Sequence, residues 1–528
     1  MIIVRLVQGS IAQITALIDS FGIPRATLLL GALGLYIAGL SAYRLFFSPL
    51  SRIPGATLSK LTVLKLRFDA LTGRMGHAAH SDYYKHGDIY TLAPNIVVLS
   101  NPSDCRTVLS THRFAKSHMY EAFALIDDTI FTTRSPDLVH TRRKQVGPAF
   151  THGYLAEMEP VIIECGISAI RQKWDQMISR SDRGAVEINY AGHFSLATFD
   201  IIGALGYGQR FNALHNDQAQ IISWVNRYNT LAMLKFTFGD PERLPNRILF
   251  RSLLKSKAEF VAFGNAAAQT RRDQLAQGLA KRPKDILQAL IDGEDPDSKI
   301  KMTPLQITAE NIGFLIAGTD TTSLTLSWTI HYLMLYPRVY NKAVTEVRTA
   351  FPPAADHTIS YAEAKASLPY VEACIYESMR IQAVSGVPLP RIVPKGGATF
   401  QGYFLPEGTQ IGVNIAGANH HKDTWESPRE FIPERFIDNE KLKQNVLTFS
   451  SGVRICPGRN LANYEMMTIL ANILKDYDLE NPRDALFTPD NLDVHGNPNT
   501  MPCTQNLTIA PKYPDRDCRV IIRRAPKC

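Results

Sequence analysis

The sequence lacks the features that define a disulfide-stabilised fold or a string of small domains. Its 528 residues include only seven cysteines, an odd number at irregular spacing, which excludes a disulfide framework and is typical of a reducing compartment. It has no internal repeat, no low-complexity tract and no glycine- or serine-rich linker. With 45% hydrophobic and 20% charged residues, the composition is that of an ordinary globular protein.

Two kinds of binding site are also absent from the sequence pattern. Gly206 and Gly208 have neither a preceding strand nor a later glycine to complete a dinucleotide fingerprint, so the chain itself is not expected to bind a dinucleotide. His77 and His80 have the spacing of metal ligands on a helix, but no third ligand accompanies them. The formal net charge of +8 fits either a basic face for an acidic partner protein or a generally basic surface.

An uncharged apolar run occurs near the N-terminus. Residues 26–43 carry no charge, and about 18 to 20 apolar residues suffice to cross the hydrocarbon core of a bilayer. Arg44, Arg52 and Lys60 follow the run, so the positive-inside rule places the remainder of the chain in the cytosol. A cleaved signal peptide is the alternative, but the run starts late and has no clear small-residue cleavage site.

Near the C-terminus, a cysteine stands in the segment Phe449-Ser450-Ser451-Gly452-Val453-Arg454-Ile455-Cys456-Pro457-Gly458. The following residues, 461–470, have helical periodicity. Cys456 would therefore lie at a helix N-terminus, where the helix dipole and free amides favour a thiolate. The alternative is an inert, buried cysteine.

The residues around Cys456 favour the role of axial iron ligand. Gly452 and Gly458 would let the backbone approach a flat cofactor closely. Arg454 would reach a porphyrin propionate, and Phe449 would cover the thiolate face. The offsets match the haem-binding signature Phe-x-x-Gly-x-Arg-x-Cys-x-Gly, and on this motif the chain resembles the cytochrome P450 family. In haem-thiolate enzymes of this kind the sulfur pushes electron density onto iron and favours O–O cleavage.

The resemblance extends upstream of the cysteine. Glu377 and Arg380 match the family motif Glu-x-x-Arg, and their i,i+3 spacing puts the two side chains on one helix face. Arg435, in the segment Pro433-Glu434-Arg435-Phe436, matches the second arginine of the family network. The resemblance implies that these three residues lock the fold around the haem.

A long helix is predicted from Thr303 to about Tyr336. Thr303 is a favourable N-cap, proline follows at the first helical position, and Pro337 ends the pattern. The segment 317–322, Ala-Gly-Thr-Asp-Thr-Thr, matches the oxygen-activation motif of the family. Glycine and threonine weaken a helix interior, and local weakness of this kind often marks a functional site.

Each residue of that motif has an expected role. Gly318 would leave room beside the haem for dioxygen, and Ala317 would line the distal pocket. Asp320 and Thr321 would form the relay that supplies protons for O–O cleavage. The alternative for Thr321 is a hydrogen bond back to a carbonyl of a bent helix, and one hydroxyl can serve both purposes.

Two further arginines are expected at the propionates. Arg391, in the segment Pro388-Leu389-Pro390-Arg391, resembles the family arginine that meets one of them. The helix that usually carries Trp-x-x-x-Arg departs from the pattern here. Val139 takes the tryptophan position if Arg143 is the arginine, whereas His140 would pair with Lys144. We favour Arg143 over Lys144, against the alternative of an exposed basic helix face.

The resemblance implies a mainly α fold with a small β-rich lobe (α+β), preceded by one transmembrane helix. Residues 88–100 predict a hairpin that fits the small sheet of the family. The expected organisation is a lumenal segment 1–25, a transmembrane anchor 26–46, a proline-rich hinge 47–58 and a catalytic domain 59–528.

The function implied is that of a haem-thiolate monooxygenase, which inserts one oxygen atom from O2 into a lipophilic small molecule. Its cofactor would be haem b, with iron bound by Cys456. Electrons would come from NADPH through NADPH-cytochrome P450 reductase, with cytochrome b5 as an optional second donor. The hinge and residues 73–95 are similar to those of fungal microsomal members that act in secondary metabolism. This likeness implies a single-pass protein of the endoplasmic reticulum membrane, with a cytosolic catalytic domain and no nucleic-acid partner.

Two other functions are compatible with a haem-binding cysteine. A haem-thiolate isomerase or dehydratase would rearrange a peroxide without O2 and would not need the Asp320–Thr321 pair. A non-catalytic haem sensor or ligand-binding protein would keep Cys456 and need neither Thr321 nor a reductase.

Overall fold

The computed structural model describes residues 25–217, 220–278, 284–353, 357–505 and 507–526. The predicted lumenal segment therefore lies, except for its last residue, outside the described residues. The helices of the N-terminal half are α1 Arg25–Ala42, α2 Thr57–Leu61, α3 Leu64–Leu71, α4 Met75–His86, α5 Pro102–Leu109, α6 Pro136–Val146, α7 His152–Ile163, α8 Ala169–Ser179, α9 Tyr190–Tyr207, α10 Ala213–Asn216, α11 Gln220–Phe238, α12 Asn246–Leu249 and α13 Arg251–Ala276. Those of the C-terminal half are α14 Ile286–Asp292, α15 Pro304–Leu335, α16 Pro337–Ala350, α17 Tyr361–Ser367, α18 Pro369–Ile381, α19 Ile415–Asn419, α20 Glu440–Lys443, α21 Arg459–Asp476 and α22 Pro514–Asp517.

The strands form small sheets beside the helices. They are β1 Ile89–Ala93, β2 Ile96–Leu99, β3 Ala185–Asn189, β4 Leu389–Ile392, β5 Ala398–Phe400, β6 Tyr403–Leu405, β7 Gln410–Val413, β8 Tyr477–Glu480, β9 Cys503–Gln505, β10 Ile509–Pro511 and β11 Arg519–Arg524. The largest sheet has the order β1-β2-β7-β4, in which β2 and β7 are parallel. A second sheet has the order β3-β11-β8, and β5-β6 and β9-β10 are pairs. The predicted hairpin is β1-β2, and the predicted mainly α fold with a small β-rich part is confirmed.

The long helix α15 agrees with its sequence prediction to within one residue at each end. The Thr303 hydroxyl accepts a hydrogen bond from the amide of Gln306, and the Gln306 side chain accepts one from the amide of Thr303, which completes a capping box. Pro337 then begins α16. The sequence signals at the two ends of this helix were therefore sufficient to place it.

The core surrounds α15 and fixes the helix that follows the cysteine. Leu326 of α15, Ile201 of α9 and Ile469 of α21 are each fully buried. Burial of such a side chain stabilises the fold by about 1.5–3 kcal/mol. Because α21 belongs to this core, the segment just before its first residue, Arg459, is anchored on one side by packed structure.

The N-terminal helix α1 exposes a run of large apolar side chains, among them Leu29, Leu33 and Ile37. It continues as a π-helical turn, Tyr43–Phe47. The span Leu29–Phe47 is long and apolar enough to cross a membrane, and none of it is buried against the protein. A signal sequence meets the same two criteria of length and composition.

Residues 47–58, the predicted hinge, are attached to the large sheet. The amide of Thr91 in β1 donates a hydrogen bond of 2.8 Å to the carbonyl of Pro54. A Cβ atom at Gly55, whose φ is +152°, would lie 2.9 Å from the carbonyl oxygen of Thr91, so only glycine fits this close approach. The hinge therefore meets the folded domain at a fixed point.

Candidate functional site

Cys456 lies in a turn immediately before α21. Its amide donates a hydrogen bond of 2.9 Å to the carbonyl of Phe449, which closes the loop between them. Ser450 and Gly452 both have positive φ, at 64° and 56°, and these two residues reverse the chain direction. Phe449 is half-buried against the core. The structure thus places Cys456 near a helix N-terminus, as the sequence predicts.

The surroundings of the Cys456 sulfur have opposing effects on the pKa of its thiol. Burial raises the pKa of the Cys456 thiol above its ordinary value, whereas the backbone amides of Gly458 and Arg459 and the guanidinium of Arg143 lower it. The net effect of these groups is a raised pKa. A coordinating thiol is deprotonated by its metal ion, so these surroundings suit a metal-bound sulfur.

Two glycines of the predicted motifs lie close to neighbouring helices. A Cβ atom at Gly452 would lie 2.6 Å from Cα of Ser110, so its missing side chain admits the end of α5. A Cβ atom at Gly318 would lie 3.0 Å from Cγ1 of Ile202, so its missing side chain admits α9. The predicted roles of both glycines beside the haem remain predictions. At Gly458 a Cβ atom would lie 3.9 Å from the sulfur of Cys456, an ordinary contact distance.

A cavity of about 240 Å³ lies beside the cysteine. Its lining includes Cys456, Arg143, Phe150, Ile130 and residues of the first turn of α21. Arg143 donates a hydrogen bond of 2.6 Å to the carbonyl of Ile455, next to the cysteine. Lys144 instead forms a surface ion pair with Asp297. Of the two candidates, the structure brings Arg143 to the cavity.

The cations expected at the propionates form a buried cluster. Arg391 is 3% exposed and Arg454 is 9% exposed. Nε of Arg391 and both Nε and NH2 of Arg454 are buried without a hydrogen-bond partner. Burial and the charges of Arg391 and Arg143 lower the pKa of Arg454 to about 10. Within the described ranges, none of these three arginines forms an ion pair with a carboxylate.

The cluster has members that the sequence analysis did not identify. Burial and the charges of Arg391, Arg454 and Arg143 lower the pKa of Lys116 to about 6. The hydroxyl of Tyr120 accepts a hydrogen bond of 2.7 Å from NH1 of Arg391. Buried cations without counter-ions are costly, so this cluster suits a ligand with two carboxylates. Haem b has two propionates and iron for the sulfur, so the residues present fit this cofactor.

On α15, the side chains of Ala317 and Thr321 are exposed on the same face of the helix. The hydroxyl of Thr321 donates a hydrogen bond of 2.7 Å to the carbonyl of Ala317, which is the backbone bond that the sequence analysis gave as the alternative. Thr319 and Ser323 make the same kind of bond, so back-bonding is general in this part of the helix. The proton-relay role of Thr321 remains a prediction.

Asp320 points away from that face and is nearly buried. Burial raises the pKa of its carboxyl to about 6, and a hydrogen bond of 3.3 Å from Nδ2 of Asn229 opposes this rise. Asn229 belongs to α11. The carboxyl can therefore exist in both protonation states near neutral pH, which is the property that a proton-transfer group requires.

Glu377, Arg380 and Arg435 form one buried network, as their motifs suggest. Arg380 donates to both oxygens of Glu377, at 2.7 and 2.8 Å, and Arg435 donates at 3.1 Å. Arg380 also donates to the carbonyls of Pro428 and Glu430. The network therefore joins α18 to the segment 428–435, which precedes the cysteine loop.

Comparisons with known proteins identify relatives over most of the chain. A family model described as Cytochrome P450 matches residues 62–500. Cytochrome P450 monooxygenase helB2 of Aspergillus fumigatus is 40% identical, over 91% of this chain and 95% of that protein. Cytochrome P450 monooxygenase ORF11 of Penicillium roqueforti is 30% identical, over 87% of this chain and 95% of that protein. The crystal structure of the cytochrome P450DA heme domain has a TM-score of 0.72 at 19% identity, covers 86% of this chain and 93% of that chain, and shows the fold.

Proposed function

Because the chain belongs to the cytochrome P450 family and is a cytochrome P450 monooxygenase, we propose that it inserts one oxygen atom from O2 into a lipophilic small molecule. The observation that carries the proposal is that Cys456 and Arg143 line one cavity, while Arg143 also acts electrostatically on Arg454 in a buried cluster of cations whose arginines have no carboxylate partner among the described residues. Such an arrangement suits a group that has both a metal and two carboxylates. The relatives are fungal proteins, which supports a role in fungal secondary metabolism.

The residues that would hold the cofactor are two that line the cavity, Cys456 and Arg143, and two from the buried cationic cluster. Cys456 would bind iron, and Arg391, Arg454 and Arg143 would bind the propionates. The bound haem-thiolate supplies the activation of dioxygen, in which the sulfur favours O–O cleavage. The amides of Gly458 and Arg459 stabilise negative charge on the sulfur, and Phe449 would cover the thiolate face.

The side chains of α15 would handle protons on the other side of the cavity. Asp320, with its pKa raised to about 6, can take up and release a proton near neutral pH. The Thr321 hydroxyl is already oriented by its bond to Ala317 and keeps its oxygen lone pairs free to accept another hydrogen bond. We assign the transfer of protons to the pocket to this pair.

The proposal also includes an electron donor and a membrane location. NADPH-cytochrome P450 reductase would supply electrons from NADPH, with cytochrome b5 as an optional second donor, since the net charge of +8 favours acidic partners. The apolar helix would hold the protein in the endoplasmic reticulum membrane as a single-pass anchor, with residues 47–58 as hinge and the catalytic domain, residues 59–528, in the cytosol.

The absorption spectrum of the reduced, carbon monoxide-bound protein tests the cysteine assignment directly. The wild type is expected to give a red-shifted, thiolate-type Soret band. Cys456→Ser is expected to lose this band, and Cys503→Ser, at a half-buried cysteine outside the cavity, is the matched control that keeps it. A histidine-type band in the wild type, or no bound haem, would overturn the proposal.

A second measurement separates a monooxygenase from the other haem-thiolate functions. With a purified reductase, addition of a substrate is expected to stimulate NADPH consumption and to yield product that carries one atom of labelled oxygen from O2. An isomerase would form product without NADPH, and a sensor would form none.

A further inference from the structure

One part of the cavity wall is held by charged side chains from elsewhere in the chain. We call residues 128–133 the wall segment. Its residue Ile130 lines the cavity with Cys456. The segment is folded on itself, because the amide of Thr129 donates to the hydroxyl of Thr132 at 2.8 Å and the amide of Thr133 donates to the carbonyl of Thr129 at 2.9 Å. These local bonds leave the amide and carbonyl of Ile130 for partners outside the segment.

The carbonyl side is bound by Lys116. The Lys116 ammonium donates hydrogen bonds of 3.0 Å to the carbonyl of Ile130 and 2.7 Å to that of Phe131. Lys116 is 6% exposed, and its backbone bridges to Arg391 of β4. The same lysine therefore belongs to the cationic cluster and holds the cavity wall.

The amide side is bound by Glu310 of α15. Oε1 of Glu310 accepts a hydrogen bond of 2.8 Å from the amide of Ile130 and lies 3.3 Å from Nε of Arg142. Glu310 and Arg142 are both nearly inaccessible to water. Burial raises the pKa of Glu310 to about 7, against the opposing effects of the Ile130 amide and the Arg142 charge.

The hydrogen bonds of Ile130 differ from those of an ordinary surface loop, whose backbone groups can bond to water. Both backbone groups of Ile130 are bonded to buried ionisable side chains of opposite sign, which come from different elements. The Lys116 amino group can donate, and Oε1 of Glu310 can accept, whether or not each group is charged, so both bonds are compatible with the pKa of Lys116 lowered to about 6 and that of Glu310 raised to about 7. Both backbone groups of Ile130 are satisfied in this way, although Oε2 of Glu310 and NH2 of Arg142 are buried without a hydrogen-bond partner among the described residues.

We propose that Lys116 and Glu310 are positioning residues, which fix the wall segment through the backbone of Ile130 and so determine which ligands fit beside Cys456. The proposal rests on the proposed function, since it concerns access to the haem. Neither residue is assigned to the chemistry itself.

The first test measures the wall segment directly by hydrogen–deuterium exchange of the full-length holoprotein. Lys116→Met and Glu310→Leu are expected to speed exchange of peptides covering residues 128–133 by about tenfold, as expected for loss of a hydrogen bond. Glu310→Gln keeps an oxygen acceptor for the Ile130 amide and is expected to stay near the wild-type rate. Lys284→Met and Glu157→Gln remove a surface pair and serve as matched controls.

The second test measures access with two nitrogen bases of different size, imidazole and 4-phenylimidazole, titrated against the Soret band. In Lys116→Met and Glu310→Leu, the ratio of the two dissociation constants is expected to change by about fivefold or more. Ile130→Ala leaves both charges in place and is expected to change the ratio in the same direction. This variant keeps the test decisive if a buried-charge variant does not fold.

The outcomes separate this proposal from the function on which it rests. A wild type without the thiolate-type spectrum would overturn the proposed function. A wild type with that spectrum, whose variants show unchanged exchange and an unchanged ratio, would overturn the positioning role alone. Equal acceleration of exchange by Glu310→Gln and Glu310→Leu would also overturn it, because the amide acceptor would then not be what holds the segment.

Discussion

The Glu377→Ala substitution is expected to destabilise the protein by about 3–5 kcal/mol, because it leaves a buried guanidinium without its counter-ion. Glu377 accepts hydrogen bonds from Arg380 at 2.7 and 2.8 Å, from Arg435 at 3.1 Å and from the amide of Ile432 at 2.8 Å. The side chains of Glu377 and Arg380 are both 0% exposed, so water cannot replace the missing carboxylate.

The two arginines of this network are expected to differ in what their own removal costs. Arg435 keeps contact with solvent and also bonds the carbonyl of Glu426, so Arg435→Ala is expected to cost about 1–3 kcal/mol. Arg380→Ala removes the buried charge but leaves Glu377 with only Arg435 and the Ile432 amide. Its cost is therefore expected to approach that of Glu377→Ala.

Urea unfolding, followed by tryptophan fluorescence and by haem absorbance, measures these costs where the two transitions coincide. Glu157→Ala, which removes one half of an exposed ion pair with Lys284, is the matched control and is expected to cost about 0–1 kcal/mol. If Glu377→Ala unfolds within about 1 kcal/mol of this control, the reasoning about the buried network is wrong.

Three further substitutions test two site positions, Thr321 and Gly452, and one buried carboxyl of α21, Glu465. Thr321→Ala is expected to raise the fraction of NADPH electrons recovered as hydrogen peroxide. Thr325→Ala, which removes a similar side-chain hydrogen bond to the backbone one turn later, is expected to leave this fraction unchanged. An equal fraction of peroxide in both variants would contradict the relay role. Burial raises the pKa of Glu465 to about 8, so the stability this group contributes is complete at low pH and is lost as pH rises through 8. As pH rises from 5 to 9, the free energy of urea unfolding of Glu465→Gln is accordingly expected to increase relative to that of the wild type. A difference between the two proteins that does not change with pH would refute this. Gly452→Ala is expected to lower haem content, because its Cβ would meet the backbone of Ser110, whereas Gly496→Ala has a similar positive φ in open space and should retain haem; equal loss in both would show that the contact is unimportant.

The parts of the site that the sequence predicted are those that a fixed local spacing defines. Glu377 and Arg380 are three residues apart on one helix, so their contact follows from helix geometry. The ends of α15 follow from a capping box and a proline, which act on their immediate neighbours. Cys456 lies near a helix N-terminus because the helically periodic segment, α21, begins at Arg459, three residues after the cysteine.

The parts that the sequence could not predict depend on contacts between distant segments. Lys116 joins the cluster because its backbone bridges to Arg391, 275 positions later in the chain, and no spacing encodes that bridge. The Arg142–Glu310 pair likewise joins α6 to α15. Glycine patterns showed that Gly318 and Gly452 need space, but which neighbour fills it depends on the packing of α9 and α5.

The large sheet joins the predicted hinge to the buried cationic cluster. The hinge meets β1 at one edge through Pro54, and Arg391 lies on β4 at the other edge. Adjacent strands are about 4.8 Å apart, so three spacings span about 14 Å. The contact at Pro54 and the position of Arg391 are therefore fixed by the same set of strand pairings. A one-residue slip of β4 would turn Arg391 to the opposite face of the sheet.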